Sequence, residues 1–293
     1  FIMDLAPGDA VDILAPEGAT AEDLEAIRHD LGLDQPVIVR YVKYMGGMLH
    51  GDMGVSYVSK TDVFDTYMEK LPATIKLSFA SILVSILLSV PLGIYSATRQ
   101  GTVQDNISMI VAMIGLSMPN FWLGLLLIIV FSLNLGWFQS GGDQTLSSIV
   151  LPAITIGTGL MATLTRTTRS SMLDVLKQEY LRTARAKGIP EKIVITSHAL
   201  RNALIPIITI IGTQLAGVLG GSVLTETVFA WPGVGRLIVD SLNMRDTPLV
   251  TGSIIMTTIL LSIILLLVDL LYAVVDPRIK AQYVAKRGKK KHG

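Results

Sequence analysis

The sequence predicts an all-α integral membrane protein, and three observations lead to this fold class. Hydrophobic residues make up 51% of the 293-residue chain, whereas charged residues make up only 16%. The mean hydropathy is positive, at +0.57. Several apolar runs also reach the roughly 20 residues that a helix needs to cross a hydrocarbon core about 30 Å thick. Such a composition is unusual for a water-soluble domain.

Five segments pass this length test and lack Lys and Arg in their middle: residues 74–97, 107–135, 149–165, 203–224 and 251–275. The chain opens on the apolar Phe1-Ile2-Met3, which predicts that residues 1–5 are the end of a first transmembrane helix largely missing from this chain. A signal peptide is the alternative, but it requires a basic flank and a small-residue cleavage site that are not found there. We therefore expect about six transmembrane helices.

The charge distribution predicts which side of the membrane each loop faces. Residues 166–202 and 276–293 are rich in Lys and Arg, whereas residues 6–73 are predominantly acidic. Because basic loops remain in the cytoplasm, the first two are predicted to be cytoplasmic and the third to be an extracytoplasmic segment. The transmembrane domain then comprises residues 74–275 and contains the loop 166–202, and residues 276–293 form a basic tail that also touches anionic lipid. This pattern does not call for a nucleic-acid partner.

The extracytoplasmic segment is predicted to contain two helices. The first begins at Thr20, an N-cap residue followed by acidic side chains, and ends near Gly32. The second covers residues 36–49, where apolar and aromatic side chains recur at helical spacing.

Residues 166–202 are predicted to form a structured loop rather than a simple connection. An amphipathic helix in this loop ends at Gly188-Ile189-Pro190, because Pro190 disfavours helical geometry at Ile189 and Gly188 permits left-handed backbone angles. A second short helix then leads from Glu191 into the membrane.

The sequence contains no recognisable catalytic or nucleotide-binding pattern: it has no Walker-type Lys loop, no G-x-S-x-G and no H-E-x-x-H. It has no Cys and only four scattered His, so no metal site is predicted. A transporter without a nucleotide loop obtains its energy from another subunit or from an ion gradient. Gradient-driven carriers usually place an acid at mid-membrane. Glu226 and Asp269 instead lie towards the ends of their spans, which favours a separate energy-supplying subunit.

Pro and Gly residues recur in the predicted spans, and we expect them to interrupt the helices. Small residues let helices approach closely, and breaks are tolerated where the backbone faces protein or a water-filled cavity. Together they suit a bundle that must change shape. The candidates for a translocation path are Pro119, Asn120, Gly217, Gly220 and Gly221.

Residues 179–188 read EYLRTARAKG and residues 198–206 read HALRNALIP. These stretches resemble the cytoplasmic coupling loop of bacterial ABC importer permeases, in particular the oligopeptide, dipeptide and nickel group. Arg182, Thr183 and Arg201 depart from the broader importer pattern, which has Glu, Ala and Pro there, and these departures narrow the subgroup. The resemblance covers nearly the whole chain, with further matching stretches at residues 33–36, 71–74, 117–122, 229–236 and 276–278.

The resemblance implies the transmembrane domain of a type I ABC importer, a multi-pass protein of the bacterial inner membrane. It also implies its partners: a second, homologous permease subunit, two ATPase subunits on the cytoplasmic face and an extracytoplasmic substrate-binding protein. ATP and magnesium are expected in the ATPase subunits and no cofactor in this chain, which is therefore not itself an enzyme.

The resemblance further implies a coupling segment (residues 182–189) that docks on an ATPase subunit. Its residues are Arg182, Thr183, Ala184, Arg185, Ala186, Lys187, Gly188 and Ile189. The small residues would let the helix enter a groove closely, while the basic residues would pair with acidic side chains on the rim of that groove. Without the resemblance, a lipid-facing amphipathic loop is the alternative.

After the fourth of these spans, Trp231-Pro232-Gly233 places a bulky ring beside rigid and permissive backbone positions. We hypothesise that this outer loop (residues 226–236) dips back as an outer gate or contacts the binding protein. Its candidate residues are Glu226, Trp231, Pro232, Gly233, Gly235 and Arg236.

The residues and the resemblance together predict a permease that forms the translocation path for short peptides by alternating access. A nickel or metal-chelate permease of the same kind remains open, although the spans contain no His or Cys cluster, which favours peptide. A gradient-driven carrier or channel is the rival class, and ATP dependence would separate the two. A membrane enzyme or scaffold would need catalytic groups that the sequence does not bring together.

Overall fold

The computed structural model describes residues 10–16 and 18–275, and this part of the chain is built from helices joined by loops. Some predictions fall outside the described residues: the end of a first transmembrane helix (1–5), the matching stretch 276–278 and the basic tail (276–293).

Three short helices come first: α1 (Ala10–Leu14), α2 (Ala21–Asp30) and α3 (Val37–Leu49). The others follow in chain order: α4 (Val63–Thr98), α5 (Val103–Ser117), α6 (Asn120–Leu127), α7 (Val150–Leu176), α8 (Glu179–Ala186), α9 (Leu200–Gly221), α10 (Val223–Val228), α11 (Val234–Asn243) and α12 (Thr247–Val275). Shorter helical segments adjoin them: the π-helix Ile128–Asn134 after α6, the 3-10 turn Leu146–Ile149 before α7, and the turn Glu191–Ile193 with the π-helix Val194–Ala199 before α9.

The two helices expected before residue 74 both form. Thr20 caps α2 as predicted: its hydroxyl accepts a hydrogen bond from the Asp23 amide at 3.3 Å, and the Asp23 carboxylate accepts one from the Thr20 amide at 2.8 Å. This reciprocal pair is a capping box, which satisfies two amides at the start of the helix. Gly32 follows the helix with a left-handed φ of +64°, and α3 coincides with the second predicted helix.

Within the described residues, four helical stretches are long and apolar enough to cross a membrane: Val63–Thr98, Leu146–Leu176, Glu191–Gly220 and Thr247–Leu270. They contain the predicted spans 74–97 and 149–165 and overlap most of the predicted spans 203–224 and 251–275. Because α4 begins at Val63, the helix starts well before the boundary predicted at residues 73 and 74, and that domain division stays a prediction.

The predicted span 107–135 is not one continuous helix. α5 and α6 are bent by 95° at Met118-Pro119, and the pair supplies a fifth crossing if it counts as one span. Met118 is extended, with φ −88° and ψ 126°, because the ring of Pro119 clashes with helical geometry in the residue before it.

The expectation that Pro and Gly interrupt the other spans is wrong for Pro91 and Pro206, although α9 does end at Gly221 within the predicted span 203–224. α4 continues through Pro91, and α9 continues through Pro206. Glycines in the spans instead permit close helix contact, since a Cβ on Gly93 of α4 would lie 2.6 Å from the Cβ of Thr168 on α7. The role of small residues in helix approach is therefore confirmed.

The described residues divide into two compact units, each with its own core. The first contains residues up to 76, residues 141–143 and residues 221–259. It packs Tyr67, Val234 and Met256 together.

The second unit contains residues 77–140, 144–220 and those from 260 onwards. α7 runs through it and belongs to the most buried of the four long spanning stretches. Its apolar core (the inner core) is formed by Ala97, Leu164, Met172, Leu181, Ala184, Val194, Ala199, Ala203 and Ile207.

Candidate coupling surface and outer loop

The predicted coupling segment covers the end of α8 and the turn after it. Leu181 and Ala184 are 0% and 8% exposed, and both belong to the inner core. Their spacing of three residues places them on one face of the helix. The remaining face of α8, which includes Arg182, Thr183 and Ala186, is exposed.

A tyrosine side chain fixes α8 to the segment that leads into α9. The Tyr180 hydroxyl donates to the carbonyl oxygen of His198 at 3.3 Å and accepts from the Asn202 amide nitrogen at 2.8 Å. α8 is thus held on its apolar side by the inner core and at its start by a polar contact, so its orientation is well defined.

The turn after α8 has the left-handed geometry that the sequence predicts. Gly188 has φ +75°, its amide donates to the Arg185 carbonyl at 3.0 Å, and the Ile189 amide donates to the Ala184 carbonyl at 3.4 Å. A Cβ on Gly188 would meet no atom of this chain within 4 Å. The backbone angle therefore explains why glycine stands here, and crowding within the chain does not.

Two of the basic residues in the coupling segment are already paired within the chain. An Arg182 guanidinium nitrogen lies 3.2 Å from the Glu179 carboxylate. Arg185 contacts Glu191 with two nitrogens, at 3.1 and 2.9 Å. Exposed pairs of this kind contribute about 1 kcal/mol or less, so a partner's carboxylates would compete with them at little cost.

The outer loop is organised around Glu226, which is 0% exposed in the first unit. One carboxylate oxygen accepts from the Thr74 and Ser222 hydroxyls, each at 2.9 Å, and the other accepts from the Arg236 amide at 3.1 Å. Burial raises the pKa of Glu226, while these hydrogen bonds and one from the Gly235 amide oppose the rise. Glu226 therefore ties the loop to α4 through hydrogen bonds.

Trp231 and Gly233 complete the packing of the outer loop. Trp231 is 3% exposed, and its indole nitrogen donates to the Ala73 carbonyl at 2.9 Å. A Cβ on Gly233 would lie 2.5 Å from the Thr74 hydroxyl oxygen, so only glycine lets the loop approach α4 this closely. Both residues therefore serve the internal packing of the loop.

Part of the outer loop remains accessible. Pro232 is half-buried, and Arg236 is partly exposed and donates to the Ala230 carbonyl at 2.7 Å. Pro232 and Arg236 could therefore contact another protein, whereas Glu226 and Trp231 are buried. The outer-gate role stays a prediction.

The first path candidates, Pro119 and Asn120, lie at the bend between α5 and α6 and are exposed. The amide oxygen of Asn120 occupies the space beside Gly159 of α7, 2.6 Å from where a Cβ would be. On α9, the Gln214 amide nitrogen donates to the Leu160 carbonyl at 3.0 Å. The bend and α9 therefore meet α7 at adjacent residues.

The remaining path candidates differ from one another. Gly217 is exposed, and a Cβ there would meet nothing within 4 Å. A Cβ on Gly220 would overlap the Leu261 side chain of α12, which makes Gly220 a packing position. Gly221 ends α9 and belongs to the first unit.

Sequence reasoning missed a polar stripe on α4. Ser78, Ser81, Ser85 and Ser89 are all fully buried, and their spacing of three or four residues was the signal that could have identified them. It also missed a buried ion pair between Asp105 and Arg169, for which the sequence alone offers no signal.

The fold and these elements define a class of protein: a membrane-spanning helical subunit that presents a short amphipathic helix, α8, beside its inner core. Residues 89–281 match the family described as "Binding-protein-dependent transport system inner membrane component", and residues 1–78 match the N-terminal component of the same systems. The chain belongs to this family of ABC importer permeases.

Curated relatives match almost the full length. The oligopeptide transport system permease protein AppB of Bacillus subtilis is 43% identical over 290 residues, which cover 95% of this chain and 92% of that protein. The glutathione transport system permease protein GsiC of Escherichia coli K12 is 40% identical over 280 residues, which cover 96% and 92%.

Solved structures agree on the fold. A chain of the MetNI methionine ABC transporter, in inward-facing conformation, aligns with a TM-score of 0.60 at 19% identity over 73% of this chain and 97% of that one. At this identity the likeness shows the fold alone. The predicted fold class, the permease family, the transport role and the inner-membrane location are confirmed.

Proposed function

We propose that this chain is one of two permease subunits of an ABC importer that moves short peptides inwards by alternating access. The other components are a second, homologous permease subunit, two ATPase subunits that bind and hydrolyse ATP with magnesium, and an extracytoplasmic binding protein. This chain supplies half of the path and one docking helix.

The arrangement of α8 is the observation that carries the proposal. Its apolar face is used within the chain by Leu181 and Ala184, whereas its polar face is exposed and ends at the left-handed Gly188. A rigidly seated helix with an exposed polar face suits insertion into a groove of another subunit. A flexible loop would not transmit a movement of that subunit to the spans.

The substrate class follows from the relatives. Their names specify oligopeptide and glutathione, which is itself a modified tripeptide. Nickel is the second candidate substrate, and the described residues contain no group of three or more His, Cys, Asp or Glu side chains suited to a metal ion. Short peptides are therefore the proposed cargo.

A gradient-driven carrier has less support. Such carriers use an acid that changes protonation within the membrane. Asp105 is buried in the first turn of α5 but is paired with Arg169 through two nitrogens, and Asp269 is exposed. Neither arrangement suits a proton relay at mid-membrane.

The complete complex, reconstituted in liposomes with its binding protein, tests the proposal directly. Labelled tetra-alanine, glutathione and Ni²⁺ are the probes, each with ATP or with a non-hydrolysable analogue. We expect ATP to raise peptide uptake at least tenfold and to leave Ni²⁺ uptake at background. Uptake driven by a proton gradient without ATP would contradict the proposal. ATP-driven uptake of Ni²⁺ alone would mean that the substrate is nickel and not short peptides.

Single cysteines test the proposed orientation, because the chain contains no Cys of its own. Asp34→Cys and Asp143→Cys should react with an impermeant thiol reagent on intact spheroplasts, and Lys187→Cys should react only after permeabilisation. Asp143 is preferred to its neighbour Gly142, whose φ of +80° would strain a cysteine. The unsubstituted chain is the control, and labelling of Lys187→Cys on intact spheroplasts would reverse the topology.

A further inference from the structure

The carboxylate of Asp105 joins three separate elements of the second unit. Arg169 on α7 donates to its two oxygens from Nε at 2.7 Å and from Nη2 at 2.6 Å. The Ser96 hydroxyl, near the end of α4, also donates to it, as does the Gly101 amide of the α4–α5 loop at 3.0 Å. All the acceptor capacity of the carboxylate is thus used.

The Asp105 carboxylate is buried as well as fully paired, and Arg169 is partly buried. The Asp105 and Arg169 side chains are 4% and 27% exposed. Removing one partner from a buried ion pair leaves the other charge unpaired, which is far more disruptive than breaking a surface pair. The two-pronged geometry also requires the planar guanidinium, which lysine does not reproduce.

The same region holds the docking helix. Ala97, which follows Ser96, belongs to the inner core together with Met172 of α7 and with Leu181 and Ala184 of α8. α8 is therefore packed on the stretch of α7 that carries Arg169, and Arg169 is anchored to Asp105 in the first turn of α5. A displacement of α8 would reach α4 and α5 through these contacts.

We propose that Arg169 and Asp105 form a strut that fixes the position of α8 relative to α4 and α5, and so couples ATPase movement to the spans. This inference rests on the proposed function. Both are positioning residues, because they act through α8 and do not touch substrate. Spatial continuity alone does not establish coupling, so the experiment measures coupling itself.

The key variant is Arg169→Lys, which keeps the charge but loses the two-pronged contact. In the reconstituted complex we expect normal assembly and at least half of the ATP hydrolysis rate, whereas tetra-alanine uptake per ATP hydrolysed falls at least fivefold. Arg166→Lys is the matched control, since Arg166 is exposed on the same helix, and it should behave as wild type. Asp105→Asn should lower the ratio similarly, and the double variant should be no worse than either single one, as expected for residues that act as one unit.

A second measurement does not depend on transport. Spin labels at Gln104→Cys and Gln178→Cys, exposed positions outside the coupling segment, report the distance between α5 and the start of α8 in the complex. We expect one narrow distribution in the otherwise unchanged chain and in Arg166→Lys, and at least a twofold broader one in Arg169→Lys. An unchanged width in Arg169→Lys, or an uptake loss that only follows a loss of assembled complex, would overturn the strut. If the wild type shows no ATP-driven uptake, the proposed function fails, and the distance distributions still decide the strut.

Discussion

Replacing Gly188 with Trp is expected to abolish transport while leaving membrane insertion intact. The φ of +75° at this position costs a non-glycine residue about 1–2 kcal/mol. Within the chain a Cβ at this position would meet no atom within 4 Å, so we expect the fold itself to tolerate a larger side chain. In the proposed groove of an ATPase subunit, the ring would overpack the interface at a cost of about 1–3 kcal/mol or more. We expect uptake below one-tenth of wild type, with weakened subunit association or ATP hydrolysis without transport.

Two controls separate interface from backbone effects. Gly188→Ala carries the strain without the bulk and should keep at least half of the uptake. Gly32→Trp carries both at another left-handed glycine, with φ +64° and open space around its Cβ, but lies far along the chain from the coupling segment. Uptake, subunit pull-down and ATP hydrolysis are measured for all three. Wild-type uptake by a normally inserted Gly188→Trp protein would show that this segment is not the docking element.

Replacing Glu226 with Gln is expected to loosen the outer loop. The carboxylate accepts hydrogen bonds on both oxygens, whereas the amide offers one acceptor and turns an NH₂ group towards existing donors. Each buried donor left without a partner costs about 1–3 kcal/mol. Hydrogen–deuterium exchange over residues 231–240 in the assembled complex should therefore become faster by at least tenfold.

The burial of Glu226 also predicts how the stability of the outer loop changes with pH. Burial raises the pKa of Glu226 above its ordinary value, so the folded state binds more protons than the unfolded state between the two values. The stability that this group contributes is then present at low pH and is lost as the pH rises through the folded-state pKa. The protection factors of the wild-type loop, which are corrected for the intrinsic rise of exchange with pH, should fall over that range, and Glu226→Gln should remove this fall.

Asp240→Asn is the control for both measurements, because Asp240 pairs with Arg236 at 3.4 Å in the same region but is half exposed. Asp240→Asn should change the free energy of opening of the outer loop by no more than about 0.5 kcal/mol, as for other surface pairs. Unchanged exchange in Glu226→Gln would mean that the loop does not depend on this carboxylate.

Many structural features of this protein depend on residues that are close together in the chain, and the sequence alone predicted them. The length of each span follows from the thickness of the membrane. Thr20 and Asp23 determine the capped start of α2, and Gly188 and Pro190 determine the left-handed turn after α8. The break at Pro119 depends on residues adjacent in the chain, and its position was predictable although its 95° angle was not. The coupling segment, as residues 182–189, was also identified at this level.

Tertiary structure alone decided which distant residues meet. Glu226 bonds to Thr74 across 152 positions of sequence, and Arg169 bonds to Asp105 across 64. Pairings of this kind depend on how helices pack and which faces they bury, and hydrophobic periodicity does not specify the partner of a polar side chain. Pro91 and Pro206 likewise lie inside continuous helices, and local sequence rules, which place prolines at helix breaks, did not predict this. Packing also buried Trp231, which the sequence offered as part of an outer gate or of a contact with the binding protein.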